Sequence, residues 1–100
     1  MNERKQAFIF KANGERKEVV PANGTDFSLG ELKEIVGGYI EIIPSVLDDM
    51  IMVIDEEGKL KGKESNPVAT FLYVHSFTKD GILCDVVVGD ALLCHESMVR

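Results

Sequence analysis

The segment that most constrains the fold is residues 28–43, SLGELKEIVGGYIEII, in which a short helix, two glycines and a strand follow one another. Ser28 and Glu31 have the spacing of a capping box, in which each side chain accepts a hydrogen bond from the other residue's backbone N–H. Gly37 can adopt the left-handed conformation that ends a helix. We therefore predict a helix that begins after Ser28 and ends at Gly37, followed by a strand over residues 39–43.

Apolar side chains recur on one face of this helix and on one face of the strand. The helix carries them at Leu29, Leu32 and Ile35. The strand carries them at Ile40 and Ile42. We expect these two faces to bury each other, because each element must cover its apolar face. Pro44 is expected to end the strand, since proline cannot donate a ladder hydrogen bond.

The remainder of the sequence predicts further strands and one more helix. Strands are predicted over residues 6–12, 16–20, 50–54, 82–88 and 91–94. The continuous apolar run at 50–54 is typical of a central strand covered on both faces. Asn66 and Pro67 predict the start of a helix over residues 67–75. The β-branched and aromatic residues of that segment leave a strand as the alternative.

These elements predict a single α+β domain over residues 1–100. We expect a mainly antiparallel sheet of about five or six strands, with two short helices packed on one face. The chain is 45% hydrophobic and 28% charged, which suits a globular domain with a core of its own.

The charge of the chain disfavours two classes of partner. The net charge is −6, which opposes binding to nucleic-acid phosphates and to anionic membranes. Lys59, Lys61 and Lys63 alternate and could line the edge of an extended segment, where lysine more often blocks unwanted strand pairing than binds phosphate. Two cysteines make no disulfide framework, and no apolar run is long enough for a transmembrane helix. We therefore expect a cytoplasmic protein that binds neither nucleic acid nor membrane.

The sequence contains no strong signature of a metal site, a cofactor or a catalytic centre. The soft metal ligands are Cys84, Cys94, His75 and His95. Their spacing lacks the close pairs that zinc sites use, so no metal is predicted. A Cys–His nucleophile would need a third residue to orient the base, and none is marked. We assign no catalytic residue, no cofactor-binding residue and no metal ligand.

Three segments in a fixed order resemble a known family. They are IVGGYIEII at residues 35–43, DEEGKLKG at residues 55–62 with Asn66 beyond it, and DVVVGDALL at residues 85–93. This set is similar to a family of small domains of unknown function found in bacteria, phages and conjugative or integrative elements. The resemblance covers almost the whole chain. It implies a mobile-element or accessory context and supplies no reaction, substrate or cofactor.

Candidate contact residues for a protein partner follow from the strand and from the family motifs. They are Tyr39, Glu41, Glu57, Lys59 and Asn66. Tyr39 is a contact residue if its face of the sheet is open and a core residue if a second helix covers it. We expect a non-enzymatic interaction module of phage or mobile-element type. The alternative is a small hydrolase or transferase whose site the sequence does not reveal.

Overall fold

Five antiparallel strands form one sheet, and a helix packs on each of its faces. The computed structural model describes residues 6–47, 49–77 and 86–99, with the backbone alone for 45–47 and 74–77. The strands are β1 (Ala7–Phe10), β2 (Arg16–Val19), β3 (Ile40–Leu47), β4 (Met50–Asp55) and β5 (Ala91–His95). The helices are α1 (Leu29–Val36), α2 (Pro67–Phe77) and a 3₁₀ turn at Glu96–Met98. The strand order is β2-β1-β5-β4-β3, which confirms the α+β prediction.

Helix α1 begins and ends as its sequence predicts. Ser28 Oγ accepts a hydrogen bond from the backbone N–H of Glu31 at 3.2 Å, and Glu31 Oε1 accepts one from the backbone N–H of Ser28 at 2.8 Å. Gly37 closes the helix with φ of 85°, and its N–H donates to the carbonyl of Lys33. Both ends of α1 are therefore set by residues within one turn of the helix.

Gly37→Val is expected to lower the free energy of unfolding by at least about 1 kcal/mol, because a β-branched residue is strained at positive φ. A Cβ at Gly37 would also lie 3.0 Å from Lys63 Nζ. Thermal unfolding measures the loss. Gly30→Ala is the control, since a Cβ there meets nothing closer than 3.9 Å. An unchanged melting temperature for Gly37→Val would contradict this account of the helix end.

The two helices lie on opposite faces of the sheet, rather than on one face as expected. Helix α1 buries Leu32 and Val36 in a cluster that includes Ile51, Val53, Leu92 and Cys94. Helix α2 buries Ala69 in a second cluster that includes Met52 and Leu93. Strands β4 and β5 are apolar on both faces, so each face needs its own helix to cover it. The predicted central strand at residues 50–54 is thereby confirmed.

The predicted contact between the faces of α1 and β3 forms only in part. Ile40 packs at the margin of the α1 cluster, but Ile42 is 42% exposed and Leu29 is 57% exposed. The reason is that α1 lies over the central strands, whereas β3 is at the edge of the sheet. Pro44 was wrongly predicted to end the strand, and the edge position of β3 explains why the strand continues past it. An edge strand tolerates proline, and the register of β3 shifts between Ile43 and Leu47.

The segment from residue 56 to residue 99 completes the fold. Residues 57–62 form turns, and α2 follows as a helix, so the strand alternative for residues 67–75 is wrong. Residues 82–85, in another predicted strand, lie outside the described residues, and 86–88 form only a bridge from Val88 to Ser65. Strand β5 covers Ala91–His95, close to the predicted strand at residues 91–94, and lies between β1 and β4 in the sheet. None of the helices in the described ranges is long and apolar enough to cross a membrane.

Candidate interaction surface

A buried carboxylate, Asp55, holds two lysines against the end of α1, and we call these three residues the Asp55 clasp. Lys61 Nζ and Lys63 Nζ lie 2.9 and 2.7 Å from Asp55 Oδ2. Lys61 Nζ also donates to the carbonyl of Gly37 at 3.1 Å, and Lys63 Nζ donates to that of Val36 at 2.6 Å. Two cations thus bind the carbonyls that a helix leaves unpaired at its C-terminus.

The clasp keeps Asp55 ionised although the side chain is fully buried. Burial by itself would raise the pKa of Asp55, but hydrogen bonds from Lys63, Lys61 and the backbone N–H of Glu57 outweigh it and lower the pKa to about 2. Lys61 and Lys63 therefore hold the turn against α1. They do not line a strand edge, which their alternation had left open, because residues 57–62 turn instead of extending.

We expect no binding to duplex DNA, because two of the three alternating lysines are committed to Asp55. A gel-shift titration with random duplex at about 150 mM salt is the measurement. Lys59→Ala is the matched variant, since it removes the one lysine of the three that lies outside the Asp55 clasp and leaves the clasp in place. Micromolar binding that weakens steeply with salt would contradict the prediction.

Asn66 is a structural residue and not a contact residue. Its side chain is fully buried. Nδ2 donates to the carbonyls of Phe10 and Gly89 at 2.7 and 2.8 Å, and Oδ1 accepts from the backbone N–H of Ala69 at 3.1 Å. The last bond is the predicted helix N-cap. Because a partner cannot reach this side chain, the predicted contact role of Asn66 is withdrawn.

A groove of about 280 Å³ lies on the α2 side of β3 and β4. Two of the predicted contact residues, Glu41 and Lys59, line it. Its other polar lining includes Glu56, and Leu60 stands in its wall with 85% of its surface exposed. The apolar remainder comprises Ile43, Ile54, Tyr73, Val86, Val87 and Val88. The groove therefore combines an apolar wall with acidic side chains.

The N-terminal half of α2 presents apolar side chains to solvent. No Asp, Glu, Lys or Arg occurs among the eleven residues of this helix. Ala69 is buried under α2, whereas Val68 is 39% exposed and Phe71 is 66% exposed. A surface helix ordinarily turns charged or polar side chains towards solvent. Sequence reasoning missed this face, although the lack of charge over residues 67–77 was the signal that could have found it.

The thiol of Cys94 is not activated. Burial raises the pKa of Cys94 to about 11, so the thiolate that acts as nucleophile or metal ligand is scarce. Cys84 lies outside the described residues, as does the side chain of His75. In the ranges that the structure does describe, no three His, Cys, Asp or Glu side chains gather where they could hold a metal ion. The expectation that the protein binds no metal stays a prediction.

A family model described as a domain of unknown function, DUF3846, matches residues 8–98. The chain belongs to the DUF3846 family. Comparison with curated proteins and with solved structures gives no match. The DUF3846 match spans both helices, the groove, the Asp55 clasp and Asn66, so the predicted membership of a family of unknown function is confirmed.

The remaining contact candidates of this DUF3846 domain lie at its surface. Tyr39 is 62% exposed, and Lys33 Nζ lies 4.8 Å from the centre of its ring. Glu57 is exposed on the turn after β4, while Glu41 and Lys59 meet at the groove. The structure thus brings Glu41 and Lys59 together, and Tyr39 and Glu57 stand outside the groove lining.

Proposed function

We propose that this DUF3846 domain is a non-enzymatic interaction module that binds another protein in the cytoplasm. The observation that carries the proposal is the outer face of α2, where Val68 and Phe71 are exposed on a helix without a charged residue. A surface helix ordinarily presents charged side chains to solvent, and α2 has none. Exposed apolar surface of this kind marks protein-binding sites.

The proposed partner is a protein of a bacterial host or of a phage or mobile element. Support for this context comes from the ordered motifs at residues 35–43, 55–62 and 85–93, which resemble domains of such elements. The net charge of −6 favours a protein partner over nucleic acid or an anionic membrane.

Affinity capture from a lysate of the native host, followed by quantitative mass spectrometry and calorimetry with the captured protein, tests the proposal. The variant is the double substitution Val68→Ser/Phe71→Ser, which changes exposed side chains only. Leu29→Ser is the control, because Leu29 is exposed by 57% on α1, across the sheet. All three proteins should have similar melting temperatures.

We expect a protein that the parent chain and the control bind directly and that the double variant binds at least about tenfold more weakly. An affinity equal in all three proteins would contradict a role for α2. Failure to find any protein that binds the purified chain would contradict the interaction function itself.

A further inference from the structure

The two edges of the sheet differ in how they are protected against strand pairing. The edge strand β2 carries Arg16, Lys17 and Glu18, all exposed. Charged side chains of this kind keep natural edge strands from pairing with other chains. Residues 39–43, at the start of β3, carry a single charged side chain, Glu41. Within the described residues β3 pairs with β4 alone, so its other side is an edge.

The outward backbone groups of this edge can be identified from the ladder. The backbone N–H of Glu56 donates to the carbonyl of Tyr39 at 2.8 Å, and the register pairs Ile40 with Asp55. Bonded and non-bonded pairs alternate in an antiparallel ladder. The N–H and C=O groups of Ile40 and Ile42 therefore point away from β4, towards the open side.

The open edge is short. Pro44 has no N–H and, by the same alternation, occupies an outward position, so it costs the sheet no hydrogen bond and offers an added strand only its carbonyl. The register of β3 also shifts after Ile43. Backbone pairing is thus confined to residues 39–43, where Tyr39, Glu41 and Ile42 are all exposed.

We propose that β3 accepts a short extended segment of a partner protein as a sixth strand, with a lysine or arginine opposite Glu41. Residues directly opposite each other in a ladder share one face and interact. Glu41 lies on the face that carries the groove, where Glu56 adds a second carboxylate. A basic side chain opposite Glu41 lies near these two carboxylates, in a groove that also holds one lysine, Lys59, and its aliphatic stem lies against Leu60 or Val86. This inference goes beyond the proposed function, since it does not use α2.

A second copy of the chain fits this edge poorly in two antiparallel registers. In an antiparallel pair of copies with Ile40 of one opposite Ile42 of the other, Glu41 meets Glu41, and like charges directly opposite are destabilising. With Ile42 opposite Ile42, Ile40 faces Pro44, which has no N–H to donate. The charge of the edge therefore favours a basic segment from another protein.

Selection of a random decapeptide library on the full chain tests the proposal. Selected peptides are synthesised, their affinities are measured by fluorescence anisotropy, and amide hydrogen exchange of the chain is followed by NMR. We expect peptides with a central Lys or Arg between apolar residues, and slower exchange at the amides of Ile40 and Ile42. Two N-methylated forms of each peptide are compared, one methylated at the odd-numbered positions and one at the even-numbered positions. Only the residues whose N–H groups point towards β3 take part in backbone pairing, so one form should bind at least about tenfold more weakly and the other should bind nearly as well as the parent peptide.

Glu41→Lys should reverse the preference, so that a peptide with Glu in place of its basic residue binds more tightly than the original. Glu34→Lys is the control, because it makes the same charge change on the exposed side of α1. The proposal is overturned if no peptide is selected, if binding leaves the amides of Ile40 and Ile42 unchanged, or if Glu41→Lys and Glu34→Lys act alike. A further outcome is that the peptides leave those amides unchanged and lose their binding in the Val68→Ser/Phe71→Ser variant. This result would support α2 as the binding face and would overturn this inference alone.

Discussion

Asp55→Asn is expected to lower the free energy of unfolding by about 2 kcal/mol at neutral pH, because it leaves two ammonium groups without their anion. Breaking a fully buried ion pair costs more, typically about 3–5 kcal/mol. The side chains of Lys61 and Lys63 are 38% and 25% exposed, so water recovers part of the loss. Urea unfolding followed by circular dichroism measures the change.

Glu34→Gln is the control for Asp55→Asn, since it neutralises an exposed carboxylate on α1 and should change the free energy of unfolding by less than about 0.5 kcal/mol. Equal stability of the two variants would mean that the Asp55 clasp contributes nothing. If Lys63→Met also lowers the free energy of unfolding, as Asp55→Asn is expected to do, the result would support the contact between the clasp and the end of α1.

The effect of Asp55→Asn depends on pH in a defined direction. The pKa of Asp55 falls from 3.8 to about 2 on folding, so the native state holds this proton less tightly than the unfolded chain. Its contribution is therefore fully present above about pH 4 and is lost as the pH falls through about 2. The gap in unfolding free energy between the parent chain and Asp55→Asn should narrow over that interval. If this difference in unfolding free energy increased as the pH falls, the result would contradict a lowered pKa for Asp55.

Asn66→Leu is expected to cost about 3 kcal/mol or more, because it removes three buried hydrogen bonds and puts a larger, apolar side chain of the same branching in their place. The carbonyls of Phe10 and Gly89 and the N–H of Ala69 would lose their partner inside the protein. These bonds join β1, the segment before β5 and the N-terminus of α2, so the loss should appear as a single lower unfolding transition. Calorimetry measures it.

Glu64→Leu is the matched control for Asn66→Leu, since it places the same side chain two residues away at an exposed position. Its free energy of unfolding should change by less than about 0.5 kcal/mol. If Asn66→Leu were equally mild, the three bonds of Asn66 would not be what holds α2 to the sheet.

Predictions from the sequence succeeded where the relevant partners are close along the chain. Ser28, Gly37 and Asn66 were placed correctly at helix ends, because each cap bonds a backbone group within four residues. The Asp55 clasp joins the turn at residues 57–63 to the end of α1, and no local pattern indicates such a contact. The alternation of Lys59, Lys61 and Lys63 is compatible with a strand edge, because the sequence alone does not show that two of these lysines reach Asp55.

The candidate surface was predictable in part. Tyr39, Glu41, Glu57 and Lys59 are all at the surface, whereas Asn66 is buried because an asparagine that caps a helix can also bond the chain on its other side. Tyr39 is exposed because it precedes β3 at the edge of the sheet, a position that apolar periodicity alone does not determine. The exposed face of α2 needed both the composition of the helix and its position in the fold.

The central position of β5 has a consequence for how the protein forms during synthesis. The β1–β2 and β3–β4 hairpins are local, but β5 joins them, and it pairs Ala7 with Cys94. A two-stranded hairpin is marginal on its own, and long-range pairing of this kind slows folding. Until residues 91–95 have left the ribosome, the β1–β2 and β3–β4 hairpins lack the strand that joins them, so neither is expected to be stable by itself. Substitutions that prevent β5 from pairing therefore separate the sheet into two hairpins. Substitutions that prevent β2 or β3 from pairing remove only an edge strand.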